Sequence, residues 1–92
     1  MDGGQFEELL ELARQIGIAV RHVRLGGTGG GLAKFKNQRQ LFIDLDAAPI
    51  DQLEQTAKAM ASVEELQQIY VRPDVRKLLE EWGTDAKTTQ AR

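Results

Sequence analysis

The residues of this chain whose types could carry chemistry are few, and several fall around one short stretch. Asp44 and Asp46 stand two apart in Gln40-Leu41-Phe42-Ile43-Asp44-Leu45-Asp46. On an extended strand both carboxylates project to the same side, which is the beginning of a hard-cation site. Such a site takes six or more oxygens, and no acidic motif nearby supplies a third ligand. The expectation is therefore two solvated acids at a strand end. His22 is the one histidine and cysteine is absent. Together these exclude a histidine pair for zinc, a His-Glu-x-x-His helix, a thiolate site and a disulfide framework. Ser62 with His22 and an aspartate would complete an acyl-transfer triad, but Ser62-Val63-Glu64-Glu65 has the capping-box pattern and reads as a helix start.

Gly26-Gly27-Thr28-Gly29-Gly30-Gly31 invites comparison with phosphate-cradling loops, whose exposed amides bind anions. A Walker loop needs Gly-Lys-Ser/Thr leading into a helix, whereas Gly31 is followed by Leu32-Ala33 and a strand. The dinucleotide pattern fails at position 32 for the same reason. The glycines are expected to form a mobile connection between strands. With no constellation of catalytic groups in place, the chain is expected not to be an enzyme and to carry no cofactor and no metal.

Charge is more informative. The net charge of −2 conceals a division: from Leu12 to Ile43 there is no Asp or Glu, while Arg14, Arg21, Arg24, Lys34, Lys36 and Arg39 all lie there. The acids precede and follow this block. Arg21, His22, Arg24, Lys34, Lys36 and Arg39 form a candidate surface for an anionic partner. Nucleic-acid phosphate is one such partner, with an affinity that falls as salt rises. Aromatic interleaving is thin, with only Phe35 and Phe42 in the predicted sheet and both expected in the core, so base stacking has little support. An acidic protein surface, including the acidic helices of a second copy, is the favoured partner.

The elements that position these residues follow from periodicity. Phe6, Leu9, Leu10, Ala13 and Ile16 recur at helical spacing over 5–15, with Gly17 placed to stop the helix. A first strand spans Ile18 to Leu25, with a bulge near Arg21 or His22 to reconcile its broken alternation. Leu32 to Lys36 and Gln40 to Leu45 pair as a hairpin around Asn37-Gln38-Arg39. Pro49 opens a second helix to Ala61, Ser62 a third, and Val75, Leu78, Leu79 and Trp82 stripe a fourth that ends at Gly83. A hairpin followed by a helix is also the layout at the start of zincin-like peptidases, where that helix carries the metal. The helix here, at 51–60, has no histidine, so only the layout is shared.

The fold expected is α+β: an N-terminal helix, a three-stranded antiparallel sheet, then three helices packed on one face. It occupies one domain over 1–83, with a disordered tail over 84–92. At 92 residues, 41% hydrophobic and 28% charged, the chain is an ordinary globular domain with a modest core. No apolar run approaches the roughly 20 residues that cross a bilayer, and no secretion signal opens the chain, so a cytoplasmic protein without membrane contact is expected. The function expected is a non-catalytic interaction or homo-oligomerisation module, with nucleic-acid binding through the basic sheet as the alternative.

Overall fold

The fold builds outward from a seven-residue strand, Gln38–Asp44, whose alternate residues Leu41 and Ile43 are 0% and 1% exposed. The structure is a computed structural model that describes residues 4–90, with side chains as far as residue 82. The element order is α1 (Gln5–Gln15), β1 (Ala19–Val23), β2 (Gly31–Phe35), β3 (Gln38–Asp44), α2 (Pro49–Ala61), a single 3₁₀ turn (Glu64–Gln67) and α3 (Pro73–Gln90).

The sheet is mixed, in the order β1-β3-β2, and this corrects the expected antiparallel arrangement. β2 pairs antiparallel with β3, as a hairpin must, but β1 pairs parallel with β3, Ala19 opposite Gln40 through Val23 opposite Asp44. The reason is the route of the chain. After β1 the glycine segment crosses over the C-terminal end of β3 and delivers β2 to its far side. Parallel partners always require such a crossover, and nothing in local periodicity announces one. The register of β1 is unbroken, so there is no bulge: the strand has ended before Leu25, which is 41% exposed in the loop.

The hairpin turn is tighter than expected, with only Lys36 and Asn37 between the strands, at φ 53° and 65°. Two successive left-handed residues match the right-handed twist of paired strands, and Asn tolerates that conformation. α1 ends as its sequence predicts. Gly17 at φ 87° lets the Ile18 amide donate to the Ala13 carbonyl at 2.9 Å and the Gly17 amide to Arg14 at 3.1 Å.

All three helices lie on one face of the sheet and share one core with it. Leu9, Leu12 and Ala13 of α1, Leu41 and Ile43 of β3, Ala57 and Met60 of α2, and Val75 and Leu79 of α3 belong to it, with Val20 and Leu32 at its edge. The third of the four expected helices is reduced to the 3₁₀ turn, and Ser62 does not cap it. Ser62 closes α2 instead, its hydroxyl donating to the Ala59 carbonyl at 2.9 Å. The backbone of α3 continues through Gly83, the expected stop, to Gln90. Residues 91 and 92 of the expected tail lie outside the described residues, as do the side chains of 83–90. Among the described residues no helix is long and apolar enough to cross a membrane.

Candidate functional site

At the C-terminal end of β3 the glycine segment closes around one carboxylate. Asp44 is 0% exposed, so the expectation of a solvated acid is overturned. Its Oδ1 accepts the amides of Leu25 and Asp46, both at 2.9 Å, and its Oδ2 accepts those of Gly27 at 2.6 Å and Gly29 at 2.9 Å. Burial alone pushes this carboxyl up, and it is the largest single influence. The four amide donors together outweigh it and hold the group below its usual range. Asp46 is also engaged: Oδ1 accepts Arg24 Nη1 and Oδ2 accepts the Gly26 amide, each at 2.9 Å.

The segment does form the anion-binding concavity that glycine-rich amides can build, and the chain's own Asp44 fills it. Both oxygens of Asp44 are directed at N–H donors, so the pair with Asp46 is a clasp for the loop. No group of three His, Cys, Asp or Glu side chains comes together among the described residues. α2 adds a further tie, since Gln55 Nε2 donates to the Gly27 carbonyl at 3.1 Å. At Gly30 a Cβ would strike the Gln55 carboxamide and sit 3.2 Å from the Phe42 carbonyl, so that position needs glycine for close approach. The segment is thus held at both ends and along its length by named bonds rather than left as a free linker.

The six cationic candidates are distributed among several positions. Residues paired across a sheet share a face, and neighbours along a strand alternate. The row Val20, Leu41 and Leu32 faces the helices, so His22, opposite Ile43, and the pair Lys34 and Arg39 lie on that side, toward its margins. Arg39 turns to the 3₁₀ turn, where Nη1 and Nη2 donate to the two Glu65 oxygens at 3.0 and 2.7 Å. Hydrogen bonding to that guanidinium holds the Glu65 carboxyl below its usual range. Arg24 is committed to Asp46. Lys36 is in the hairpin turn with Nζ 5.4 Å from the centre of the Phe35 ring. Arg21 alone of the six lies on the face turned away from the helices.

That open face carries Ala19, Gln40 and Ala33 in one row, Arg21, Phe42 and Gly31 in the next, Val23 beside Asp44, and Phe35 beside Gln38 at the hairpin end. The expected core placement of the two sheet phenylalanines is corrected here. Ala33 and Phe35 share the open face: Phe35 is 63% exposed and Phe42 half-buried. On β2 it is Leu32, one residue out of step with them, that meets the core. Comparison of the sequence with protein-family models and curated proteins, and of the fold with solved structures, finds no match.

Sequence reasoning missed the Asp44 clasp, although a signal for it exists. Alternation from Leu41 and Ile43 puts Asp44 on the non-core side, and six residues rich in glycine must pass that strand end to reach a partner on its far side.

Proposed function

We propose that this protein is a non-catalytic interaction module that acts by surface recognition, either of a second copy or of an acidic protein partner. The observation that carries the reading is the helix-free face of the sheet, with Phe35 standing 63% exposed at its hairpin end and Lys36 Nζ 5.4 Å from its ring. Among the described residues no ion pair engages Lys34, Lys36 or Arg21, so these cations are available to an external anion. The groups with chemical potential have other employment: Asp44 and Asp46 hold the glycine loop, and the Ser62 hydroxyl ends α2. Complementary charge across such a surface fixes orientation and speeds encounter. Sedimentation velocity across concentration and salt tests the reading. Self-association that strengthens at low salt supports it in its homo-oligomeric form. A strict monomer that also ignores polyglutamate and other acidic polypeptides refutes it.

One pairing favours the second reading, nucleic-acid binding. Arg21 lies directly across from Phe42 on the open face, a cation beside an aromatic ring on a flat strand surface. Titration of labelled single-stranded RNA and duplex DNA at low salt, read by anisotropy, decides it. The affinity expected falls steeply with added salt and is lost in Arg21→Glu; no binding at low salt dismisses it.

A further inference from the structure

β1 and β2 are the outer strands of the sheet, and the pairing pattern determines which backbone groups each turns outward. The Leu45 amide donates to the Val23 carbonyl at 2.8 Å, which sets the phase of the β1–β3 ladder: Leu41 and Ile43 turn their backbone groups to β1, so Gln38, Gln40 and Phe42 turn theirs to β2. Their partners Phe35, Ala33 and Gly31 face inward in the same way. Leu32 and Lys34, the residues between, direct their amides and carbonyls away from the sheet. Among the described residues no hydrogen bond engages those groups.

A row of unpaired amides and carbonyls is a template for another strand, and the residues of this edge complement a second copy of themselves. Laid antiparallel on itself in full overlap, Gly31-Leu32-Ala33-Lys34-Phe35 sets Ala33 against Ala33, Leu32 against Lys34 and Gly31 against Phe35. The two outward-facing residues thus oppose each other, as a hydrogen-bonded pair requires. Lys34 lies along an aliphatic side chain and not against its own charge. A slip of two residues toward the turn would bring Lys34 onto Lys34, and the opposite slip would carry Phe35 beyond the strand to Gly29, so the edge favours one register. The open face agrees: nothing lies within 4 Å of where a Cβ on Gly31 would stand, leaving a gap beside Phe42 in that row. The Phe35 ring of the second copy falls over this gap, the arrangement in which an aromatic ring rescues a glycine across strands. β1 lacks this complementarity, because full overlap of Ala19–Val23 on itself sets the exposed Arg21 against Arg21.

We infer that two copies of this chain pair through their β2 strands, antiparallel about a two-fold axis at Ala33, and so join their three-stranded sheets into one in the order β1-β3-β2-β2-β3-β1. The axis stands perpendicular to the sheet, so the helix-free faces of both copies lie on the same side and become continuous. This rests on the interaction-module reading and names its partner as a second copy. Two five-residue strands make a small interface, and a dissociation constant in the micromolar-to-millimolar range is expected.

The experiment uses the full chain and the exposed Ala33, which meets its own counterpart only if the axis passes there. Ala33→Lys and Ala33→Glu each set like charges face to face, and each alone is expected to sediment as a monomer at concentrations where the wild type is dimeric. An equimolar mixture of the two is expected to restore a 1:1 dimer, since the facing charges are then opposite. Lys34→Pro removes an outward amide that the monomer does not use, and with it two bonds of the dimer. It is expected to raise the dissociation constant about tenfold to a hundredfold, the worth of two hydrogen bonds. Circular dichroism and the urea midpoint of dilute protein verify that each variant keeps the fold. Charge variants that associate as the wild type does, a mixture that stays monomeric, or a Lys34→Pro chain of unchanged affinity overturns the β2 pairing and leaves the interaction-module reading standing. A wild type that stays monomeric at millimolar concentration overturns the second copy as partner, and the acidic-polypeptide titration then decides the broader reading separately.

Discussion

Asp44→Asn is the most searching perturbation of the fold, because it changes one atom and almost nothing of shape. In the wild type Oδ1 and Oδ2 each accept two backbone amides. Asparagine keeps one acceptor oxygen and replaces the other with an NH₂ group, which can only donate. If the oxygen stays with Leu25 and the following strand-end amide, the new NH₂ faces the amides of Gly27 and Gly29, donor against donor. A buried donor left without an acceptor costs about 1–3 kcal/mol, so the Gly27 and Gly29 amides set a loss of about 2–4 kcal/mol, held toward the low side by the exposure of Gly29. That is a large fraction of the stability of a small domain. The urea midpoint at neutral pH measures it.

The pH dependence supplies an independent check. The folded carboxyl of Asp44 lies below the unfolded value of about 3.9. The unfolded chain therefore binds the proton first as pH falls, and the stabilisation from this group is complete above about pH 4 and disappears below it. Glu65 and Asp74 are also held low, by hydrogen bonds from Arg39 and Arg72, and their contributions are lost in the same direction. The variant should thus be weaker at pH 7 and should lose less on acidification than the wild type, though some slope remains from those two acids. An unchanged midpoint at pH 7 together with an unchanged acid limb would show that the loop amides are satisfied by solvent and that the clasp contributes nothing.

Two further substitutions probe the elements around the clasp. Leu41→Ala empties a fully buried site in the central strand, and the loss expected is about 2–5 kcal/mol in the urea midpoint; less than 1 kcal/mol would mean that this row is not the core. Lys36→Asn with Asn37→Gly writes Asn-Gly into a turn whose two positions are both left-handed, and should raise stability by about 0.5–1 kcal/mol, whereas a decrease would argue for a different turn.

What was legible in the sequence was local. α1 follows from an apolar stripe closed by Gly17, α2 from Pro49 and its stripe, and β3 from the alternation of Leu41 and Ile43; all three stand where that reasoning put them. The β2–β3 hairpin was legible too, although the turn is one residue pair rather than three. What failed was non-local. The parallel pairing of β1 depends on a crossover whose evidence is spread over the glycine segment and Asp44, 15 to 19 residues apart in sequence. Ser62 and Glu65 satisfied a capping-box pattern, yet only a 3₁₀ turn fits between α2 and α3, and Glu65 is drawn instead to Arg39. For the candidate surface, charge counting located the cations, but whether each one faces out, faces the helices or meets an acid depends on strand register.

Phe35 carries more weight than its exposure alone. A scattered exposed hydrophobe is ordinary, since much of any protein surface is apolar. An aromatic ring on an edge strand is different, because an uncovered edge invites pairing with other chains, and lysines beside it are the usual guard against that. Read that way, Lys34 and Lys36 exist to keep the edge soluble, and replacing Phe35 with threonine should improve solubility and change nothing else. Read as part of a recognition surface, Phe35 and the Lys36 beside it are contacts, and the substitution should remove a salt-sensitive self-association while leaving the urea midpoint of the monomer in place. Phe35 sits beside Gln38 at the outer end of the sheet, beyond the Leu32–Leu41 row that meets the core, so the fold gains little from the ring. A stability change in the dilute monomer would therefore contradict both accounts, and a change confined to concentration dependence separates the second from the first.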